Sequence, residues 1–271
     1  MFYTCLGILI RILSNSYLNV FQKILTNKGQ RSSVVNFYTY LGLCLTCIWF
    51  LKDISAGIIP LVLIMGILGA AGNYFIIKAL SIGKLSTLAP INSYKPVVAL
   101  IFGIFFLKEI PSASAILAIL LIIAGTYFVL DIHGKADRVA ILYRVLALIC
   151  SGTEAIFIKK IILLCGAVNC FILWSISGLI FSSLFVLISK NKPVIKDYKY
   201  QILLILAVGI MQYSTNFVFA RMNVAYALAL FQLSTLLSVF LGVNIFHEQN
   251  FKKKIIGSLI MISGAMILIL L

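Results

Sequence analysis

Long runs of apolar residues, separated by short polar stretches, follow one another along the whole chain. A bilayer core of about 30 Å is crossed by roughly 20 residues of α-helix. Backbone groups in lipid must be bonded within the segment, and these runs are continuous rather than alternating, so they predict helices and not barrel strands. The pattern predicts ten transmembrane helices, over residues 3–25, 34–52, 56–80, 85–107, 113–131, 138–162, 168–189, 200–221, 224–246 and 254–271.

The two halves of the chain resemble each other. A shift of 139 residues aligns 73–109 with 212–248 without a gap, and it places Gly103 on Gly242 and Glu109 on Glu248. Matched glycines and glutamates are less expected by chance than matched leucines, so we predict an internal duplication, with one repeat over 1–131 and the other over 138–271. Because five helices is an odd number, the second repeat should enter the membrane inverted. Inverted repeats are typical of secondary transporters, which bind their substrate near the midplane between the repeats.

Composition supports an integral membrane protein, since 62% of the residues are hydrophobic and 11% are charged. The net charge of +15 would suggest nucleic acid in a soluble protein. Here the basic residues fall between apolar segments, so they indicate contact with lipid headgroups and no nucleic-acid partner. The cysteines lie in apolar segments and the two histidines lie in separate loops, so the sequence predicts no disulfide framework, metal site or cofactor.

The stretch ALSIGKLSTLAPINSYKPVVALIFGIFFLKE (79–109) and its weaker copy ending in VFLGVNIFHE (239–248) resemble the drug/metabolite transporter superfamily, in particular its ten-helix EamA-type transporters. The resemblance extends over the whole chain as two five-helix units. It implies transport of a small solute, such as an amino acid, nucleobase, sugar or drug. The second copy has Ser234 in place of Lys95, and Ala229 and Thr235 in place of the two prolines, which implies an asymmetric midplane site.

Lys95 is the first candidate site residue. A lysine at a helix centre costs about 2.5–3.5 kcal/mol on insertion scales, so it should face a wet cavity or a carboxylate and not lipid. Pro90 and Pro96 should kink or loosen this helix and free a carbonyl near Asn92. Lys95 then either contacts the anionic group of a solute or pairs with a neighbouring helix.

Glu154 is the one carboxylate that the sequence places well inside a predicted span; the other acidic residues fall at helix ends or in loops. Two roles remain open at this point. Glu154 either carries a proton as the coupling ion or forms an ion pair with Lys95 or Arg11 that locks the two repeats together.

Further polar residues lie on predicted helices 1, 3 and 8. Those on helix 1 share one face, so helix 1 should line the interior. Such residues either bond a solute or hold helices together, and Trp174 either walls the cavity or packs at an interface. These candidates are Arg11, Asn15, Asn19, Asn73, Tyr74, Gln212, Tyr213 and Asn216.

Glu109 and Glu248 each precede a predicted helix. An anion there complements the positive end of the helix dipole, so we assign both a structural capping role.

The orientation of the chain in the membrane stays open. Basic residues concentrate in the loops after helices 1, 3, 5, 7 and 9, including Arg144, and the positive-inside rule makes that side cytoplasmic and both termini external. The resemblance instead implies that both termini are internal.

The sequence therefore predicts a multi-pass protein of the cell membrane that works as a secondary transporter by alternating access, and not an enzyme. Protons are a possible coupling ion. The alternatives are a channel or membrane scaffold subunit and, with less support, a membrane-embedded enzyme.

Overall fold

The computed structural model describes residues 2–52, 54–88, 91, 94–108, 110–129, 134–189 and 194–246, together with residues 256, 257, 259, 260, 263, 264 and 267. These residues form helices, and none of them lies in a strand. The α-helices are α1 (Phe2–Asn27), α2 (Ser32–Cys47), α3 (Ile59–Ile82), α4 (Leu85–Leu88), α5 (Lys95–Leu107), α6 (Ala113–Val129), α7 (Gly134–Ile188), α8 (Tyr198–Phe219), α9 (Val224–Phe231) and α10 (Leu233–Phe246).

The distribution of side chains is that of a protein in a bilayer. Six helical stretches in the described part of the chain are long and apolar enough to cross a membrane. Large apolar side chains such as Leu13, Leu142 and Leu206 are more than half exposed on the outside. Arginine, glutamate, asparagine and glutamine side chains are buried inside. This arrangement confirms the prediction of a helical membrane protein.

Two predicted helices are divided in the structure. The segment 85–107 contains α4 and α5, and α5 begins at Lys95 with Pro96 in its first turn, where the missing proline N–H breaks no helical bond. The segment 224–246 contains α9 and α10. At Gln232 the backbone N–H bonds to the Ala229 carbonyl, three residues back, which tightens the chain and ends α9. The division of 85–107 agrees with the expected effect of its prolines, whereas the division of 224–246 was not predicted.

The helix α7 contains a break at Gly166. This residue has φ 82° and ψ 168°, in the left-handed region that favours glycine, and an added Cβ would meet open space. Gly166 divides α7 into a first half, residues 134–165, and a second half, residues 167–188. These halves correspond to the predicted segments 138–162 and 168–189.

Close packing of α3 against both halves of α7 forms the centre of the bundle. Gly66, Gly69 and Gly72 follow one another at intervals of three along α3. A Cβ on Gly66 would collide with Ser177, and a Cβ on Gly72 would lie 3.4 Å from the Cys150 Cβ. These close approaches at the glycines bring the polar residues of α3 and α7 together.

Candidate functional site: a charged cavity inside the bundle

A cavity of about 70 Å³ lies among α1, α3, α5, α7, α8 and α9. Its wall carries both charged and apolar groups. The polar and aromatic residues predicted from sequence that line this cavity are Arg11, Asn15, Asn19, Asn73, Lys95, Glu154, Trp174 and Gln212. The helices of both predicted repeats contribute to it.

Glu154 is buried on the first half of α7, at 8% exposure. The indole Nε1 of Trp174, on the second half of α7, donates a hydrogen bond of 2.6 Å to Glu154 Oε1. Gly69 on α3 faces this pair, because a Cβ built there would collide with Oε1 and lie 3.1 Å from the indole nitrogen. The glycine leaves room for a carboxylate at the α3–α7 interface.

Lys95 is the first residue of α5 and is half-buried. Its charge and that of Glu154 interact across the cavity, and it is also repelled by Arg11 and Arg144. Among the described residues, however, the one ion pair whose nitrogen and oxygen lie within 4.0 Å of each other is Lys28–Asp197. It lies at the end of α1 and the start of α8, away from Lys95 and Glu154. The Lys95 ammonium therefore lines the cavity without a salt-bridge contact to Glu154.

Arg11 on α1 is also buried, at 8% exposure. Its Nε donates to the Thr215 hydroxyl at 2.6 Å, and its guanidinium carbon lies 4.9 Å from the centre of the Phe231 ring. These contacts connect α1 with α8 and α9. Among the residues that the structure describes, the buried Nη1 atom of Arg11 has no hydrogen-bond partner.

Asn15 connects α1 with α10. Its Nδ2 donates to the Ser234 hydroxyl at 2.8 Å, and the neighbouring Ser16 hydroxyl donates to the Ser234 carbonyl at 2.8 Å. One turn further, Asn19 donates to the Asn15 carbonyl at 2.9 Å. The polar face predicted for helix 1 thus points into the bundle.

Asn73 and Gln212 lie at positions related by the 139-residue shift. Asn73 Nδ2 donates to the Tyr40 hydroxyl at 2.6 Å, and the Tyr40 ring packs against Trp174 with centres 4.8 Å apart. Gln212 Nε2 donates to Asn216 Oδ1 at 3.0 Å. Asn216 does not line the cavity; it is fully buried behind Gln212 and donates to the Ala167 carbonyl at 3.2 Å.

Arg144 was missed as a site residue and was wrongly counted with the loop charges. It lies on the first half of α7, is 2% exposed and lines the cavity. Its Nε donates to the Leu88 carbonyl at the end of α4, at 3.1 Å, while its buried Nη1 has no partner within the described part of the chain. The signal available in the sequence was the apolar context VAILYRVLALIC on both sides of this arginine. Ser151 and Thr215 also line the cavity and were missed.

Two predicted residues lie elsewhere. Tyr74 packs against Phe185 and lies on a different surface depression, and Tyr213 is 46% exposed with its ring edge-on to Phe171. Each directly follows a cavity residue, Asn73 or Gln212, and one residue further along a helix turns the side chain by about 100°. Asn92, Glu109 and Glu248 lie outside the described residues.

The size and donors of the cavity limit its chemistry. No group of three His, Cys, Asp or Glu side chains that could hold a metal occurs in the part of the chain that the structure describes. Sites for drug-sized ligands are about 300–1,000 Å³. At about 70 Å³, this cavity must widen before it can hold a solute of that size.

Comparison with known proteins gives a match along nearly the whole chain. Residues 2–131 and 138–270 each match the model of the EamA-like transporter family. A solved structure described as "Crystal structure of protein" superposes with a TM-score of 0.71 at 14% identity, covering 98% of this chain and 96% of the other. At that identity the likeness shows the fold alone. No curated protein matches the chain.

Proposed function

Because the chain belongs to the EamA-like transporter family, we propose that it is a secondary transporter of the cell membrane, which binds a small polar solute in the cavity and moves it by alternating access. Membership already makes it a multi-pass membrane protein of a family that transports small molecules. The observation that carries the finer proposal is the cluster of charged side chains buried at the centre of an apolar bundle. Intramembrane charges of this kind mark solute or ion pathways.

The proposed architecture is ten transmembrane helices in two inverted five-helix repeats. The match of each half of the chain to the family supports this architecture. Helix packing supports it too: the 139-residue shift relates α1 to the first half of α7 and α3 to α8, and α1 packs on α8 as α7 packs on α3. The same shift relates Asn15 to Glu154 and Asn73 to Gln212, and all four residues line the cavity. A solute site between two repeats is the arrangement of inverted-repeat transporters.

The two repeats would then act as unequal gates. The shift relates the Asn15–Ser234 hydrogen bond to the Glu154–Lys95 pair. In this structure the neutral pair is in contact, while the charged pair interacts across the cavity without a salt bridge. We propose that the opposite-facing state separates Asn15 from Ser234 and closes Lys95 onto Glu154.

Glu154 has the position of a proton carrier in this scheme. It accepts a hydrogen bond from Trp174 and lines the cavity, through which it would exchange its proton. When Glu154 releases its proton, the carboxylate would attract the Lys95 ammonium, and when Glu154 is protonated this attraction would weaken. This cycle would couple solute movement to a proton gradient.

Uptake into liposomes containing the purified protein tests the proposed function. We expect a labelled solute, identified by screening metabolite mixtures, to enter at a rate that saturates with its concentration and to be trans-stimulated by the same solute inside. A carrier shows trans-stimulation because the loaded form reorients. Flux that rises linearly without trans-stimulation would support a channel instead, and absence of flux for every fraction of the mixture would contradict the proposal.

A further inference from the structure

The described lining of the cavity carries more positive than negative charge. Arg11, Lys95 and Arg144 line it together with a single carboxylate, Glu154. A buried charge without a partner is costly in protein and more so at the depth of a membrane. Even when ionised, Glu154 balances one of the three cations, so two positive charges remain without a counter-charge among these side chains.

The hydrogen-bond donors of the cavity are also incompletely used. These two arginine side chains are 8% and 2% exposed, and the buried Nη1 atoms of Arg11 and Arg144 have no partner among the described residues. Buried donors are nearly always paired, and leaving one unpaired destabilises the protein. Both arginines are fixed through Nε, to Thr215 and to the Leu88 carbonyl, which holds each guanidinium in place with its outer donor available.

Glu154 does not supply the missing acceptors for these cations. Its Oε1 accepts from Trp174, and no Lys or Arg nitrogen of the described residues lies within 4.0 Å of it. The two arginines and Lys95 come from α1, α7 and α5, so three helices each bring a cation to the wall of one cavity. Planar guanidinium groups with free donors are suited to oxyanions, which accept two parallel hydrogen bonds.

We propose that the transported solute is a small organic dianion, whose carboxylate or phosphate oxygens bind between Arg11, Lys95 and Arg144. This inference rests on the proposed transport function and assigns its substrate class. Two negative charges neutralise the cavity when Glu154 is ionised, and the oxygen atoms supply acceptors for the two unpaired Nη1 donors. The apolar part of the wall, with Leu18, Ile76 and Ile158, leaves space for a short carbon chain.

Matched pairs of compounds test the charge requirement on the wild-type protein. Succinate is compared with succinamide, and glycerol 3-phosphate with glycerol, each at millimolar concentration, by the thermal midpoint of the detergent-solubilised protein and by competition for uptake in liposomes. We expect at least one dianion to raise the midpoint and its neutral partner to leave it unchanged. Succinate alone or glycerol 3-phosphate alone would identify the carboxylate or the phosphate group. Equal responses to charged and neutral partners, or no response to either dianion, would overturn the proposal.

Variants locate the binding site. Arg144→Gln and Lys95→Gln should each weaken the binding of the active dianion about 10- to 100-fold, because each removes a charged hydrogen-bond donor. Arg221→Gln is the matched control, since this exposed arginine bonds to the Phe217 carbonyl outside the cavity. Dianion affinity that is unchanged in both cavity variants would overturn the site.

The failure of this inference is distinguishable from failure of the proposed function. Saturable, trans-stimulated uptake of a neutral or cationic solute that neither dianion inhibits would contradict the dianion and leave the transporter intact. Absence of uptake for every solute fraction would contradict transport itself.

Discussion

Replacement of Gly69 on α3 by alanine should disturb the Glu154–Trp174 pair on the neighbouring helix α7. The new Cβ would collide with Glu154 Oε1 and lie 3.1 Å from the Trp174 indole nitrogen, so the 2.6 Å bond between them cannot persist as it is. The obstruction involves a carboxylate held in a packed interface between α3 and both halves of α7. Either the carboxylate must turn away or the helices must separate.

The magnitude follows from three contributions. Overpacking costs about 1–3 kcal/mol, loss of a hydrogen bond to a charged group costs about 1.5–3 kcal/mol, and alanine gains about 1 kcal/mol over glycine in a helix. We therefore expect Gly69→Ala to lower the free energy of unfolding by about 1.5–5 kcal/mol. Gly72→Ala is the matched control one turn away, because its Cβ would make an ordinary 3.4 Å contact. It should be neutral or slightly stabilising.

The assay uses tryptophan fluorescence. The chain has two tryptophans, and Trp49 is 83% exposed, so a Trp49→Phe background leaves Trp174 as the single reporter. Gly69→Ala should lower the thermal midpoint in detergent and shift the Trp174 emission. Gly72→Ala should leave the emission unchanged and should not lower the midpoint. Equal midpoints and identical spectra for the two alanine variants would refute the reasoning.

Other outcomes follow from the same contacts. Glu154→Gln should abolish the pH dependence of uptake while solute exchange continues, as measured in liposomes with and without a pH gradient; a pH dependence equal to wild type would exclude the proton role. Asn15→Ala and Ser234→Ala should each lower stability by about 1 kcal/mol, and the double variant should cost no more than either alone if the bond acts as a unit. The hydrogen bond from Lys28 lowers the pKa of Asp197, so this pair stabilises the fold at neutral pH and the contribution is lost as the pH falls through the lowered pKa. Asp197→Asn should therefore lower the melting midpoint at neutral pH and match wild type in strong acid.

Hydropathy was sufficient to predict the helical membrane fold, and polar residues within apolar runs predicted much of the lining of the cavity. Lys95 and Glu154 were identifiable because a charge in a long apolar run is costly and needs a reason. Arg144 was missed for a related reason: it lies only six residues after Arg138, at the predicted start of its helix, and was assigned to the headgroup region. The structure instead buries it against the end of α4.

The division between α9 and α10 was beyond what the apolar pattern can show. An apolar run has the same sequence pattern whether each backbone N–H bonds to the carbonyl four residues back or three residues back. At Gln232 the bond goes three residues back, and the sequence pattern does not reveal it. Tyr74 and Tyr213 show a second limit. Each directly follows a cavity residue in sequence, and the helical phase places its side chain beside the wall rather than on it.

The excess of positive charge in the cavity also implies that the transport cycle depends on the membrane potential. Moving one elementary charge across a membrane potential of about 100 mV involves about 2.3 kcal/mol. An empty carrier that presents Arg11, Lys95 and Arg144 to one face and then the other displaces net charge, whereas one neutralised by a dianion displaces little. On this hypothesis the return of the empty carrier, and not the loaded step, generates current. Electrical recording on supported membranes should find transient currents that the bound dianion suppresses, and currents of equal size with and without it would contradict this.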